Sequence, residues 1–275
     1  MSEREFRFGV VAGKAPSGAE WAATARRAEE LGFDTLLIPD TVHTYAPFAA
    51  LAAAAAVTHR LRLGTYVLSA PNRAPGLVAW ESETLQQLSD GRFELGVGGG
   101  RPGAERDAEA LGGEFGTPAQ RLERVAETVA AVRKLSPAPP VLIAASRPRM
   151  LRLAAEQADI VALGLPPQST EDELGRVVAE LREAAGDRFD RLELHLNTAG
   201  VAPTAADLPP WLSRMVGGDP VAMAGAGSIA FLLGSAEQIA DLLRRRRDEL
   251  GISYIGVSGL FMEQFAPVLE LLRSA

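Results

Sequence analysis

Residues 93–106, FELGVGGGRPGAER, set three consecutive glycines and an arginine at the end of a short apolar run. Gly98, Gly100 and Gly103 satisfy the spacing G-x-G-x-x-G, and the chemistry such a loop can do is to cradle a phosphate on backbone N–H groups. In a dinucleotide-binding fold that fingerprint occupies the first strand–helix turn. Here the first such turn, VVAGKAPSG, lacks the pattern, the glycine loop is the fourth, and Pro102 interrupts it. The spacing therefore reads as accidental, and the absence of a following G-K-[ST] excludes a P-loop. What remains is a bed of small residues that lets a flat or phosphorylated ligand approach the backbone. Arg101 is placed to meet an anion.

A second candidate set lies in RLELHLNTAGV (191–201), where Glu193, His195 and Asn197 alternate with Leu192, Leu194 and Leu196. Alternate side chains of a strand face opposite ways. If the polar face turns inward, His195 or Asn197 reaches a substrate pocket; the competing reading is a satisfied, buried histidine. His59, in THRLRLG, reads as a surface residue. Trp211 reads as lid packing or as a wall of the substrate pocket. A chain without cysteine forms no disulfide, iron–sulfur cluster or Cys-ligated metal site and has no Cys nucleophile. The net charge of −7 argues against a nucleic-acid partner, and the arginines of RRRR (244–247) would fan around a helix. The N-terminus shows no signal-peptide core, and the longest apolar run, within 45–57, is too short to cross a bilayer. These features lead us to expect a cytoplasmic protein with no membrane partner.

The elements that must position these residues alternate along the chain. Strand-like runs occupy 6–12, 34–40, 60–69, 92–99, 140–146, 159–165, 191–201 and 252–258. Helical patterns occupy 18–32, 45–58, 75–91, 118–135, 148–158, 170–186, 235–251 and 262–274. Short apolar strands joined by helices indicate a parallel sheet covered on its outer face. Eight such units in 275 residues predict one domain, 1–275, folded as a (β/α)₈ TIM barrel, with a doubly wound open sheet as the alternative. Loops after the strands then form the catalytic face. Residues 202–233, rich in Pro, Gly and Ala, break the rhythm after strand seven and predict an irregular insertion, either a lid or pocket wall or a passive cover.

The stretch LGTYVLSAPNRAPGLVAWESETLQQLSDGRFELGVGGG (63–100) resembles the bacterial luciferase-like monooxygenase superfamily. ARRAEELGFDTLLIPD (25–40), PRMLRLAAEQADIV (148–161) and LGSAEQIADLLRRRRDELGISYIGV (233–257) extend the resemblance over most of the chain outside the insertion. It implies a (β/α)₈ barrel that binds reduced FMN or the deazaflavin coenzyme F420 at the C-terminal ends of the strands. The run ending at Asp40 is similar to the deazaflavin-using branch. The resemblance places Asp40 facing the cofactor ring; the alternative is a helix N-cap, for which Thr41 and Thr44 compete. It matches Tyr66–Val67 to a site under the ring where the family often has a non-proline cis peptide, with a plain trans strand as the alternative, and it places the cofactor tail on Gly98, Gly99 and Gly100. It places the cofactor phosphate at Ala144, Ala145, Ser146 and Arg147, ahead of a helix starting near Pro148. A helix N-terminus offers free N–H groups to an anion, and a simple cap by Ser146 fits the same geometry.

The chain also departs from the family pattern. Thr41 stands where many relatives carry His, with His43 two positions on as the candidate proton donor. Arg101 stands where redox relatives often place a carboxylate. RKLSPAPPVLI joins helix four directly to strand five, without the usual hairpin-like stretch. The expectation is an oxidoreductase passing a hydride from reduced coenzyme F420 to a small organic substrate, with catalytic roles for Asp40, His43 and Arg101. The alternatives are an FMN-dependent monooxygenase and a non-catalytic cofactor-binding homologue. An unrelated lyase or isomerase barrel would need a Schiff-base or acid–base residue at a strand end, and only Lys14 of the two lysines is near one. The Ala-rich helix 46–57, apolar almost all round, predicts a homodimer.

Overall fold

Along FELGVG (93–98) the large apolar residues Phe93, Leu95 and Val97 fall on one side and Glu94, Gly96 and Gly98 on the other. That alternation decides the architecture: one side packs under helices and the other lines a closed barrel. The computed structural model describes residues 4–101 and 103–274, so Pro102 lies outside the described residues. The strands are β1 (Arg7–Val11), β2 (Thr35–Ile38), β3 (Arg62–Thr65), β4 (Leu68–Ser69), β5 (Phe93–Gly98), β6 (Val141–Ala145), β7 (Ile160–Leu163), β8 (Glu193–Thr198), β9 (Gly200–Ala202), β10 (Phe231–Leu233) and β11 (Ile252–Ser258). The main sheet runs β3-β2-β1-β11-β8-β7-β6-β5-β4, and a further β3–β5 pairing closes it. Every pairing in it is parallel. β4 continues the line of β3 after a cis peptide at Tyr66–Val67, so the barrel has eight staves, as the sequence predicts.

The helices are α1 (Gly18–Glu30), α2 (Pro47–Ala55), α3 (Pro75–Leu88), α4 (Ala104–Ala110), α5 (Pro118–Val132), α6 (Pro148–Gln157), α7 (Glu171–Ala185), α8 (Leu212–Val216), α9 (Pro220–Gly225), α10 (Ala236–Leu250) and α11 (Met262–Arg273). Their starts are written locally. Thr117 and Gln120 cap α5 reciprocally, as do Thr170 and Glu173 on α7 and Ser235 and Gln238 on α10. Outward strand residues such as Phe8, Leu36, Val97 and Ile255 join the helices in one large apolar core. A separate interior cluster contains Leu37, Leu142, Ile160, Ala162 and Tyr254, with Val11, Tyr66, Val67 and Ala144 against it. No helix among the described residues is long and apolar enough to cross a membrane.

The segment after strand seven is not irregular throughout, which corrects the expectation for 202–233. β9 and β10 pair in parallel outside the barrel, and α8 and α9 lie between them. Asp219 caps α9 and Pro220 opens it, so short helices arise where composition alone suggested a loop. The base of the barrel is plugged by charge. Arg7 bonds Glu193 at 2.5 Å and Glu94 at 2.7 Å, Arg62 bonds Glu94 at 2.9 Å, and Arg7 lies 4.2 Å over the Tyr254 ring. These groups come from the N-terminal ends of the strands, the face of such barrels that serves stability.

Candidate active site

At the opposite, C-terminal face, the corner after β3 is built around Asp40. Its carboxylate, 5% exposed, accepts from the Ser69 N–H at 3.0 Å and pairs with Arg73. Asp40 therefore ties the end of β2 to β4 and to the turn that leads into α3. The N-cap reading does not hold: Ala46 precedes α2 and no side chain caps that helix. Glu81 of α3 lies beside the same arginine; burial raises the pKa of its carboxyl, Arg73 opposes this, and its Oε2 is buried without a hydrogen bond. The Tyr66–Val67 peptide is cis, as the resemblance implies.

Across from this corner the barrel mouth is floored by small groups. A Cβ at Gly98 would lie 2.9 Å from Val67 Cγ2 and 3.4 Å from Ala144 Cβ, so only glycine leaves that bed flat. Gly99 lies under Met150 and Arg121, and Gly100, at φ +88°, under the Phe115 ring. Ala144 and Ala162 pair on adjacent strands beside them. Ala145 closes β6, and Ser146 leads to Arg147, the N-cap residue of α6. Ser146 is thus not the cap, and no side chain caps α6. Leu151 N–H bonds the Arg147 carbonyl, and Pro148 carries no N–H, which leaves the Arg149 and Met150 donors at the helix start.

The polar face of β8 turns inward. His195 is fully buried, with the Tyr66 ring 4.8 Å away and the Tyr254 ring 4.5 Å away and edge-on. Burial, with Arg7 adding repulsion, lowers its pKa to about 3, so the imidazole is neutral. Neither ring nitrogen has a hydrogen-bond partner, nor does Asn197 Oδ1. Burial also raises the Tyr66 and Tyr254 phenols.

Three further predicted residues lie apart from this interior. His43 is on the loop after β2, with an exposed side chain; its backbone N–H donates to Thr41 Oγ1 at 3.2 Å, and no hydrogen bond or ion pair holds the imidazole among the described residues. Arg101, 49% exposed, bonds the buried Asp107 of α4 at 2.8 Å, so its charge is committed to the loop that carries it. Trp211, 42% exposed, occupies the N-cap position of α8, and its ring lies tilted against Phe261 with centroids 5.8 Å apart. Sequence reasoning missed Arg73, Glu81, Tyr254 and Gly256. Tyr254 and Gly256 were readable from the period-two pattern of ISYIGVS, whereas Arg73 carries no local signal.

A family model described as luciferase-like monooxygenase matches residues 6–207. A coenzyme F420-dependent glucose-6-phosphate dehydrogenase of Nakamurella multipartita is 32% identical over 229 residues, 70% of this chain and 67% of that protein. The solved coenzyme F420-dependent tetrahydromethanopterin reductase of Methanopyrus kandleri superposes with a TM-score of 0.74 at 17% identity, covering 97% of each chain. A monooxygenase of Streptomyces bottropensis superposes with a TM-score of 0.75 at 20% identity, covering 98% of this chain and 100% of that one. At those identities the two superpositions show the fold, a (β/α)₈ barrel.

Proposed function

This chain belongs to the luciferase-like monooxygenase family, and from that premise we propose that it is an oxidoreductase that uses coenzyme F420 at the barrel mouth to reduce or oxidise a small organic substrate. The observation that carries the reading is a flat bed, Val67, Gly98 and Ala144, bordered by the uncapped start of α6. A planar ring fits the bed, and an anionic tail fits free N–H groups at the positive end of a helix dipole. The name of the Nakamurella relative supports the deazaflavin over FMN.

In this proposal Tyr66, Val67 and Gly98 floor the ring, and Gly99 and Gly100 border its tail. Ala144, Ala145, Ser146 and Arg147 bring the α6 amides to the phosphate. The bound coenzyme supplies hydride chemistry, and the chain supplies binding, orientation and water exclusion. Asp40 keeps the strand-three corner in place through Ser69 and Arg73. His43, on the rim with its imidazole exposed, is the group placed to hand on a proton. Arg101 holds the glycine loop through Asp107, and Asn197 and Trp211 border the substrate.

The same reading includes a homodimer. Helices α2 and α3 are neighbours. α3 exposes Leu77 (42%), Trp80 (67%) and Leu88 (62%), and α2 exposes Ala49 and Ala53, with Ala56 at its C-cap. A second copy of the chain would cover this apolar face.

The test is turnover. Purified protein is offered oxidised or reduced coenzyme F420 with a panel of alcohols, sugar phosphates and enones, with and without oxygen. The expected result is oxygen-independent change in coenzyme absorbance with at least one substrate class. An oxygenated product formed from a panel member with reduced FMN and oxygen, with no change in coenzyme F420 absorbance, would assign a monooxygenase instead. Tight coenzyme binding with no turnover on any class would assign a non-catalytic homologue.

A further inference from the structure

Two buried polar atoms without partners meet over Gly256 in the barrel interior. His195 Nε2 lies 2.7 Å, and Asn197 Oδ1 2.6 Å, from the position a Cβ would take on Gly256. His195 Nδ1 is the third orphan. Buried donors and acceptors are almost always paired, so such a group calls for a partner or a rearrangement that supplies one. The imidazole cannot turn far, because the Tyr66 and Tyr254 rings hold it. The carboxamide can: Asn197 is only partly buried, and of its two amide atoms only Oδ1 is enclosed without a partner. Gly256 leaves open the space through which the two tips would meet, and β8 and β11 set Asn197 directly opposite Gly256.

We propose that neutral His195 donates through Nε2 to Asn197 Oδ1 across Gly256, and that this fixes the Asn197 amide nitrogen as a donor that reads an uncharged carbonyl oxygen on the ring bound at the mouth. Asn197 is then a binding residue for the ring and His195 a positioning residue. The chemistry selects a neutral acceptor: two N–H donors on an uncharged carboxamide match a ring carbonyl, and a ring lacking it would leave them unpaired. The Tyr66 ring connects this pair to the proposed cofactor bed, and the inference rests on that reading.

The experiment is a fluorescence titration of the full chain with coenzyme F420 and, separately, with FMN, using wild type, Asn197→Leu, Asn197→Ser and His195→Phe. Thermal melts run in parallel. Phenylalanine keeps an aromatic ring between Tyr66 and Tyr254 and removes the nitrogens. Asn197→Leu and Asn197→Ser are expected to weaken binding of the preferred coenzyme at least about tenfold. His195→Phe is expected to weaken it about threefold to tenfold while melting within a few degrees of wild type, since it keeps an aromatic ring between Tyr66 and Tyr254. A merely structural histidine would lower the melt and leave affinity alone. Wild-type affinity in both Asn197 variants overturns this inference and leaves the cofactor reading intact. A wild-type chain that binds neither coenzyme overturns both.

Discussion

Asp40 and Arg73 form a pair in which losing one partner is worse than losing both. The side chains are 5% and 15% exposed, so Arg73→Met would strand a carboxylate away from water. We expect that variant to lose about 3 kcal/mol in urea unfolding, and the double variant Asp40→Asn/Arg73→Met to regain most of it. Additive losses would show that Arg73 does not serve Asp40. His195 gives a pH signature. Its folded pKa of about 3 lies below the ordinary value near 6.5, so the unfolded chain takes up a proton on acidification that the folded chain refuses. Its contribution is complete above the unfolded value and is lost as pH falls toward 3, about 2 kcal/mol between roughly pH 7 and pH 5. His195→Phe should flatten that slope, and an unchanged slope in paired urea titrations would contradict the assignment. The inward turn of His195 and Asn197 was legible as one of two faces of β8, because period-two alternation names the faces. It does not name which is inside. The Arg73–Asp40 pair was not legible: its partners are 33 positions apart and meet only when two barrel strands lie side by side.

Among the elements, β5 shows how little space the bed leaves. Gly98→Ala would bring a methyl to 2.9 Å from Val67 Cγ2. The prediction is a coenzyme affinity at least about tenfold weaker, with a melting temperature within a few degrees of wild type, because the clash falls on the partly buried Val67 and Ala144 and not in the helix-covered core. Gly96→Ala should do far more. Its methyl would meet the Thr65 carbonyl oxygen at 1.9 Å, where two backbones approach, and we expect little folded protein. The eight staves and most helices were legible, since strands such as FELGVG and caps such as Ser235 with Gln238 are local signals. Strand three read as one run over 60–69; the structure breaks it at Tyr66–Val67 into β3 and β4. Residues 202–233 were misread because their helices are five and six residues long and their two strands only three each, too short to show a period. The charge plug under the barrel was invisible for a different reason. Arg7 and Glu193 stand 186 residues apart, and only barrel closure joins them.

At the scale of the whole molecule, two faces of the barrel are distinguished by their residues: an ionic plug at the base, and at the mouth a flat bed of small groups bordered by the Asp40–Arg73 pair. The outer surface adds a third distinction, the α2–α3 face with Trp80 two-thirds exposed. Trp80→Glu should raise the dimer dissociation constant at least about tenfold, read as a fall in mass by light scattering across a dilution series. A wild-type chain that is monomeric at micromolar concentration would contradict the dimer. The central claim is that the mouth holds one deazaflavin per chain. Native mass spectrometry of the purified protein, incubated with equimolar coenzyme F420 and FMN, tests it most directly. The account predicts a single added mass of coenzyme F420 on each chain, lost in Gly98→Ala. A spectrum in which only FMN is retained, or in which neither coenzyme stays bound to wild-type protein, would contradict it.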